Sequence, residues 1–532
     1  MKKPDPTLRQ FAAEIFVGVT DHLDPELQAM ILAKYSRSYA SVMTRIPADE
    51  EDAKKVKAAL RLVYINYGHR SVGQLGTTTI FFEGVSMLAA LALTDSKLFN
   101  GQESSTRYIP YDEQPAIDMG ESRVRHWQEV WRLFYKEALQ DTIKKITAEY
   151  PVPEDETRAK HLNAIKARAF DICGGILPAG FTTSVGFCGT FDTLNDHLTW
   201  MIAHPLHEVR DLAEMAAQEL ALKYPNAAYS LEKLRERGMY RQYGDEPYSD
   251  LHISAYYFRK GGFAHDVMFL GRDGCASENV LQRFCYTSER DAVNDLRYPV
   301  TDQEGNYGIP SNVQLSVQIC GHPPKVFSLG IEDYKEVLEA YGMKTRKKYE
   351  CFPEAISSLF RFRITSKMDM RSYRDMHRHR NGSRPIPLLE MNDGLHPYYV
   401  ENLSQEMADK FISLAYKQEQ EIKADYPSGS DTVTLSDITE DELERASNFR
   451  KLNWQYAIPM AALVPYYYEC DLNQLLYMLE LRTDKTVHQS LRIEMMAVYE
   501  RLKAMLPELQ VHVDLSPNNF SLKRGGQTFE TT

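Results

Sequence analysis

Landmarks in the two halves of this chain recur at a nearly constant spacing. Three pairs share it: Pro178 and Pro459 are 281 residues apart, Pro225 and Pro507 are 282 apart, and Asp95 and Arg378 are 283 apart. Self-similarity at a fixed period marks a chain built from repeated structural units. The chain has 532 residues, more than one typical domain. We therefore expect two tandem copies of one fold.

The proposed copies cover residues 1–237 and 261–532, joined by a polar, tyrosine-rich linker at 238–260. Apolar residues at helical spacing predict helices at 26–35 and 53–67, and the β-prone run 77–82 predicts a strand. A nearly all-apolar helix is expected at 84–93, and an all-apolar helix is typical of a buried position. Each copy should therefore contain both helices and strands.

Composition excludes several classes of protein. The net charge is −12, which argues against a protein that coats nucleic acid. No run approaches the roughly 20 apolar residues needed to span a bilayer, and no signal-peptide core follows Met1, so we expect a cytoplasmic protein. The seven cysteines include no close Cys-x-x-Cys pair, which favours reduced thiols and predicts no metal site.

Two short polar stretches carry the chemistry. The first is the cationic run at 377–383, which follows a segment expected to be helical at 368–376. Guanidinium forks and imidazole donors match phosphate oxygens, although such a run is often a solvated face. The second stretch, at 100–108, follows the apolar helix and places hydroxyl groups and one arginine in a tight loop. Such a loop is a candidate seat for a phosphate group.

Together the two stretches resemble the signature of the flavin-dependent thymidylate synthases, which reads Arg-His-Arg, two residues, Ser, and later Ser-x-Arg-Tyr. The second half carries the front of this motif as Arg378, His379, Arg380 and Ser383, and the first half carries the back as Glu103, Ser105, Arg107 and Tyr108. Where the first half should read Arg-His-Arg it reads Asp95-Ser96-Lys97, and where the second half should read Ser-x-Arg-Tyr it has residues 388–391. Each half has lost what the other kept.

The resemblance implies an α+β fold, with helices packed on a small mixed or antiparallel sheet in each copy. It also implies a composite site formed by both copies. FAD would be bound by Arg378, His379, Arg380, Ser383 and His69, and the nucleotide by Glu103, Ser105, Arg107 and Arg482. The residues implied to act in catalysis are Arg482, Arg378 and Ser105.

The implied reaction is the reductive methylation of deoxyuridine monophosphate (dUMP), with methylenetetrahydrofolate and NADPH as co-substrates. The partner would be a pyrimidine deoxynucleotide, and the chain would form a homodimer that imitates the family's tetramer. Three alternatives stay open: a related reaction such as hydroxymethylation, a degenerate protein that binds nucleotide without catalysis, and a nucleic-acid-binding patch. The absence of stacking aromatic residues beside the cationic run disfavours the last.

Overall fold

The computed structural model describes most of the chain, in segments. These are residues 23–35, 46–104, 113–154, 157–202, 204, 206–237, 313–319, 336, 338–384, 386–387, 389–391, 393–425 and 453–516. The expected linker at 238–260 lies outside the described residues, as do Ser105, Arg107 and Tyr108.

The first half begins with helices and then forms a three-stranded sheet in the order β1-β3-β2. Its helices are α1 (Pro25–Tyr35), α2 (Glu50–Leu60), α3 (Arg70–Gly73), α4 (Met87–Thr94), α5 (Ser122–Glu149), α6 (Arg158–Cys173), α7 (Phe191–Met201), α8 (His207–Lys223) and α9 (Leu231–Arg237). A π-helical turn, Arg61–Asn66, follows α2, and the strands are β1 (Thr77–Ser86), β2 (Asn100–Glu103) and β3 (Thr182–Thr190). The predicted strand at 77–82 and the predicted helices at 26–35 and 84–93 are confirmed, with shifted ends.

The second half contains an antiparallel sheet in the order β4-β5-β6. Its strands are β4 (Gln314–Ile319), β5 (Phe360–Asp369) and β6 (Leu463–Cys470). Its helices are α10 (Glu354–Ser357), α11 (Met370–His377), α12 (Pro397–Asn402), α13 (Gln405–Asp425), α14 (Leu472–Arg482) and α15 (Gln489–Met505), and a 3₁₀ turn covers Gln455–Ala457. The described architecture is therefore α+β, as expected from the sequence.

The structure divides into two compact units. The first unit comprises the described residues of Met1–Phe81, Leu98–Gly101 and Gly186–Asp245, and the second those of Phe82–Lys97, Gln102–Val185 and Glu246–Thr532. Parts of both sequence halves therefore fold together in the second unit.

A polar network and an ion pair stabilise the first unit. The side-chain amide of Asn195 donates to the hydroxyl of Tyr64 (3.0 Å) and to the carbonyl of Ala227 (2.9 Å). Arg70 forms a two-pronged contact with the buried carboxylate of Asp192, at 2.9 and 3.0 Å. Since Asp192 lies in the first turn of α7 and Arg70 begins α3, this contact holds the segment before β1 against that helix.

A buried aromatic core stabilises the second unit where α5 packs on α13. Trp131 is fully buried and its ring meets Phe411 edge-on, with centroids 5.6 Å apart. Its indole N–H donates to the side chain of Gln418 (3.0 Å), which in turn donates to the carbonyl of Ala457 (2.9 Å). The buried polar atoms of this core are thus paired, as burial away from water requires.

Within the second unit, the two halves meet through reciprocal main-chain hydrogen bonds. The amide of Ala179 donates to the carbonyl of Ile458 (3.1 Å), and the amide of Met460 donates to the carbonyl of Leu177 (3.0 Å). Because Ile458 and Met460 each lie 281 residues after Leu177 and Ala179, the second bond repeats the first with the halves exchanged. A second pair does the same: Gly180 to Tyr456 at 3.1 Å, and Ala461 to Gly175 at 2.7 Å.

Helix starts in the two halves also correspond. The hydroxyl of Ser86 caps α4 by accepting from the amide of Ala89 (2.9 Å), and the carboxylate of Asp369 caps α11 by accepting from Ser372 (2.9 Å). Ser and Asp are among the preferred N-cap residues because their oxygens satisfy an amide that the helix leaves unpaired. The two caps lie 283 residues apart, within the range of the sequence landmarks.

Candidate functional site

The cationic run starts as the last turn of α11 and continues as a loop. Asp369 begins this helix and Arg378 is its C-terminal cap. Arg374 and His377 lie in its last turn, where positive charge complements the partial negative charge of the helix end. The helix therefore presents its basic side chains where it meets the loop.

Close packing fixes the loop that follows. A side chain at Gly382 would place its Cβ 2.4 Å from the ring of Tyr468, so only glycine fits there. Ser383 pairs with Glu469 of β6 through both main-chain groups, at 2.8 and 3.0 Å. The hydroxyl of Tyr468 also donates to the carbonyl of His379 (3.1 Å). The backbone around the Arg-His-Arg run is thus held against β6.

The carboxylate of Glu103, at the end of β2, receives two arginines from the second half. Arg374 forms a close ion pair with its Oε1, and Arg378 approaches Oε2 with Nη2 at 3.4 Å. The side chains of Glu103 and Arg374 are 8% and 6% exposed, whereas that of Arg378 is 50% exposed. Arg378 also lies 3.4 Å from Asp375 on its own helix. We call these four residues the Glu103 cluster.

Arg374 is surrounded by weak acceptors. Its Nη1 faces the sulfur atoms of Met87 (3.0 Å) and Met460 (3.7 Å). Burial, and then the charge of Arg378, lower the pKa of Arg374 to about 9. The guanidinium therefore stays charged at neutral pH, and a buried charge is stable only when it is paired.

A second ionic cluster forms around Asp95, the C-terminal cap of α4. Its Oδ1 lies 3.2 Å from Nη1 of Arg384 and 3.3 Å from Nε2 of His377. The side chains of Arg384 and His377 are 4% and 1% exposed. The residue that replaces the first arginine of the motif in the first half is thus a carboxylate that neutralises cations of the second half. We call these three residues the Asp95 cluster.

His379 is buried and neutral. Its Nε2 accepts a hydrogen bond from Nε of Arg482 (2.8 Å), and the side-chain amide of Gln474 lies 3.2 Å from its Nδ1. Burial, and then the charge of Arg482, lower the pKa of His379 to about 3. Arg482 also donates to the main-chain carbonyl of Asp375 (2.9 Å). The structure therefore places Arg482, the last residue of α14, beside the Arg-His-Arg run.

The charges around the run suit an anionic ligand. Five guanidinium groups share three carboxylates here: Arg374, Arg378, Arg380, Arg384 and Arg482, against Glu103, Asp95 and Asp375. Within the described residues, Nε of Arg374 and Nη2 of Arg384 are buried without a hydrogen-bond partner. Phosphate and pyrophosphate groups are the natural partners of such donors, so these residues fit a nucleotide or flavin phosphate.

The remaining predicted site residues are placed as follows. Arg380 and Ser383 are half-buried in the loop after α11. His69 is exposed and lies in the first unit, just before α3. Ser105 and Arg107 lie outside the described residues.

Sequence reasoning missed the partners of the motif. Arg374 lies four residues before Arg378, a spacing that puts both on one helix face, and this was the available signal. Nothing local pointed to Asp95 and Arg384, which are far apart in the chain. The asparagine of the sequence Asp471-Leu472-Asn473-Gln474 has a structural contact: the side-chain amide of Asn473 exchanges two hydrogen bonds with the main chain of Phe352, both 2.8 Å.

Searches of the described residues gave two negative findings. No three His, Cys, Asp or Glu side chains are grouped there so that they could hold a metal ion. In the same part of the chain, no helix combines the length and apolar character needed to cross a bilayer.

Comparison with known proteins supports the family resemblance. Residues 19–226 match the family model described as thymidylate synthase complementing protein. A UPF0159 protein of Chlamydia pneumoniae is 22% identical over 464 residues, which is 83% of this chain and 77% of that protein. UPF0159 proteins of Chlamydia muridarum and Thermoplasma acidophilum are 22% and 21% identical, covering 81% and 90% of this chain and 76% and 93% of their own lengths.

Proposed function

We propose, starting from the membership of residues 19–226 in the family of the flavin-dependent thymidylate synthases, that this chain is a thymidylate synthase-like enzyme. It would methylate dUMP to deoxythymidine monophosphate. One observation carries the proposal: Glu103 of the first half and Arg378 of the second half, which belong to the two separated parts of the family motif, are 3.4 Å apart in one compact unit. This proximity supports a composite site that closes within one chain.

In the proposed site, Arg378, His379, Arg380, Ser383 and His69 hold FAD. Glu103, Ser105 and Arg107 position the sugar and phosphate of the nucleotide, and Arg482 holds the base. FAD supplies the hydride when bound, methylenetetrahydrofolate supplies the carbon unit, and NADPH reduces the flavin.

Catalysis is assigned to Arg482, Arg378 and Ser105. Carbon 5 of uracil is a weak nucleophile, so charge that develops on the ring oxygens must be stabilised. Fixed cations such as Arg378 and Arg482 perform this task in a site from which water is excluded. The hydrogen bond from Arg482 to His379 orients its guanidinium before the ligand arrives, and such preorganisation lowers the cost of binding.

We also propose that residues 1–237 and 261–532 are two copies of one fold, joined by the segment 238–260. The reciprocal hydrogen bonds of Ala179 and Met460, and the matching caps Ser86 and Asp369, support this proposal. A homodimer in the cytoplasm, imitating the family's tetramer, completes it.

A related reaction on a pyrimidine nucleotide, such as hydroxymethylation, is the second candidate. Two observations favour it. The family's glutamine three residues before the Arg-His-Arg run is Asp375 here, and its carboxylate lies 3.4 Å from Arg378. Arg482 is shared with His379. Both features alter the surroundings of a bound base, so the product of the reaction decides between the two candidates.

The first experiment is the visible absorption spectrum of the purified protein, recorded before and after addition of FAD and then dUMP. A flavin band that shifts on nucleotide addition is expected. Arg378→Ala should release flavin, whereas Arg107→Ala should retain flavin and weaken dUMP binding. A protein that takes up no flavin would favour a degenerate nucleotide-binding protein, and equal effects of both substitutions on both ligands would contradict the division of roles.

A further inference from the structure

The two arginines of the Glu103 cluster differ in how they meet its carboxylate. Arg374 is buried and forms the close contact, whereas Arg378 is half-exposed and approaches the second oxygen at 3.4 Å. One carboxylate carries one negative charge, so it neutralises one guanidinium. The pairing therefore assigns the charge of Glu103 chiefly to Arg374 and leaves surplus positive charge on Arg378.

The surroundings of Arg374 favour the same assignment. Its other contacts are the sulfur atoms of Met87 and Met460, which are weak acceptors and carry no charge. Within the described residues, Glu103 is the carboxylate at ion-pair distance from Arg374. Arg378, in contrast, reaches solvent and has a second carboxylate, Asp375, at 3.4 Å. Arg374 thus depends on Glu103, while Arg378 does not.

We propose that Arg374 is a positioning residue that neutralises Glu103 and thereby keeps Arg378 available to the phosphate of a bound nucleotide. The inference rests on the proposed function, in which Arg378 meets an anionic ligand. Arg374 itself is too buried to reach a ligand and acts through Glu103.

Removal of Arg374 has a definite electrostatic consequence. The carboxylate of Glu103 would be left buried without its partner, and Arg378 is the nearest remaining cation. A bond between Glu103 and Arg378 would withdraw that guanidinium from the ligand, and the site would also lose one positive charge. Because a charge-assisted hydrogen bond would be lost, dUMP should bind about 10- to 100-fold more weakly.

Three variants of the full-length protein test this. Arg374→Met places a thioether among the sulfur atoms of Met87 and Met460. Adding Glu103→Gln to it removes the charge that captures Arg378, and this double variant should recover most of the dUMP affinity. The matched control is Arg371→Met, which removes another buried arginine of α11 whose contacts are the main-chain carbonyls of residues 170 and 171.

Isothermal titration with dUMP and thermal unfolding of each variant give the readouts. Loss of affinity in Arg374→Met, recovery in the double variant and unchanged affinity in Arg371→Met would support the proposal. It is overturned if Arg374→Met binds dUMP like the wild type, if Glu103→Gln restores nothing, or if Arg371→Met loses affinity equally. A wild-type protein that binds no dUMP would overturn the proposed function itself, so the two failures are distinguishable.

Discussion

Glu494 should make the protein less stable above neutral pH. This residue of α15 is buried, and it accepts a hydrogen bond from the hydroxyl of Tyr466 at 2.9 Å. Burial raises its pKa from 4.5 to about 7, and the nearby charge of Asp369 adds to the shift. The folded protein therefore binds this proton more tightly than the unfolded chain does.

The sign and the size of the effect follow from linkage. A carboxyl group whose pKa is raised on folding contributes stability that is fully present below pH 4.5 and is lost as the pH rises through about 7. A tenfold change in proton affinity is about 1.36 kcal/mol, so the total contribution is roughly 3 kcal/mol. Glu494→Gln keeps an acceptor for Tyr466 and removes the ionisation. The variant should lose less stability than the wild type between pH 5 and 8, by up to about 3 kcal/mol.

Chemical denaturation at several pH values measures this difference. His379 acts in the opposite direction: burial lowers its pKa to about 3, so its contribution is present above its ordinary pKa of 6.5 and is lost as the pH falls. The two slopes oppose each other between pH 4.5 and 6.5, and Glu494→Gln should expose the rise that His379 produces. Glu406→Gln, at an exposed position of α13, is the control. Parallel curves for Glu494→Gln and the wild type would refute the reasoning.

Three further substitutions or reactions test the packing. Gly382→Ala should destabilise the protein by about 1–3 kcal/mol, because its Cβ would overlap the ring of Tyr468, and thermal unfolding measures this. Arg346→Met should cost about 3–5 kcal/mol in urea titrations, since it leaves the fully buried carboxylate of Glu480 unpaired, and adding Glu480→Gln should recover much of the loss. Burial raises the pKa of the Cys173 thiol to about 12, so iodoacetamide should label it only after unfolding, as peptide mass spectrometry can show.

Local sequence patterns predicted the helices and strands that position the site. The apolar run expected at 84–93 is buried as α4, and the helix expected at 368–376 is α11 at Met370–His377. Both patterns are local, because burial and capping depend on residues within a few turns. Their ends shifted by a few residues where Ser86 and Asp369 cap the helices, and caps depend on tertiary context as well as on residue type.

The ionic partners of the motif were beyond sequence reasoning. Asp95 was interpreted as a lost arginine, but its carboxylate lies 282 residues from His377 in the chain and pairs with it in space. The first-half counterpart of Arg482 was also misplaced. It was matched to His204, whereas the equally long helices α7 and α14 end at Met201 and Arg482. Pairing over such separations depends on the fold and leaves no periodic signal.

The Glu103 and Asp95 clusters lead to a last prediction, on stoichiometry. In the Glu103 cluster one buried carboxylate meets two arginines, which leaves charge for an anion. In the Asp95 cluster the carboxylate meets one arginine and a histidine, and the side chains of Arg384 and His377 are almost fully buried. An anion would have to displace Asp95 from these cations and bury its charge elsewhere, at a cost of several kcal/mol.

Each chain should therefore bind one nucleotide, although it carries two halves of similar plan. Isothermal titration with dUMP should give a stoichiometry near one per chain, and Arg378→Ala should abolish it without uncovering a second site. Two equivalent sites per chain would contradict the electrostatic argument, because the second site would have to bind an anion beside Asp95. Loss of the motif's arginine in the first half is thus coupled to a gain: the carboxylate that replaced it neutralises cations which the second half buries.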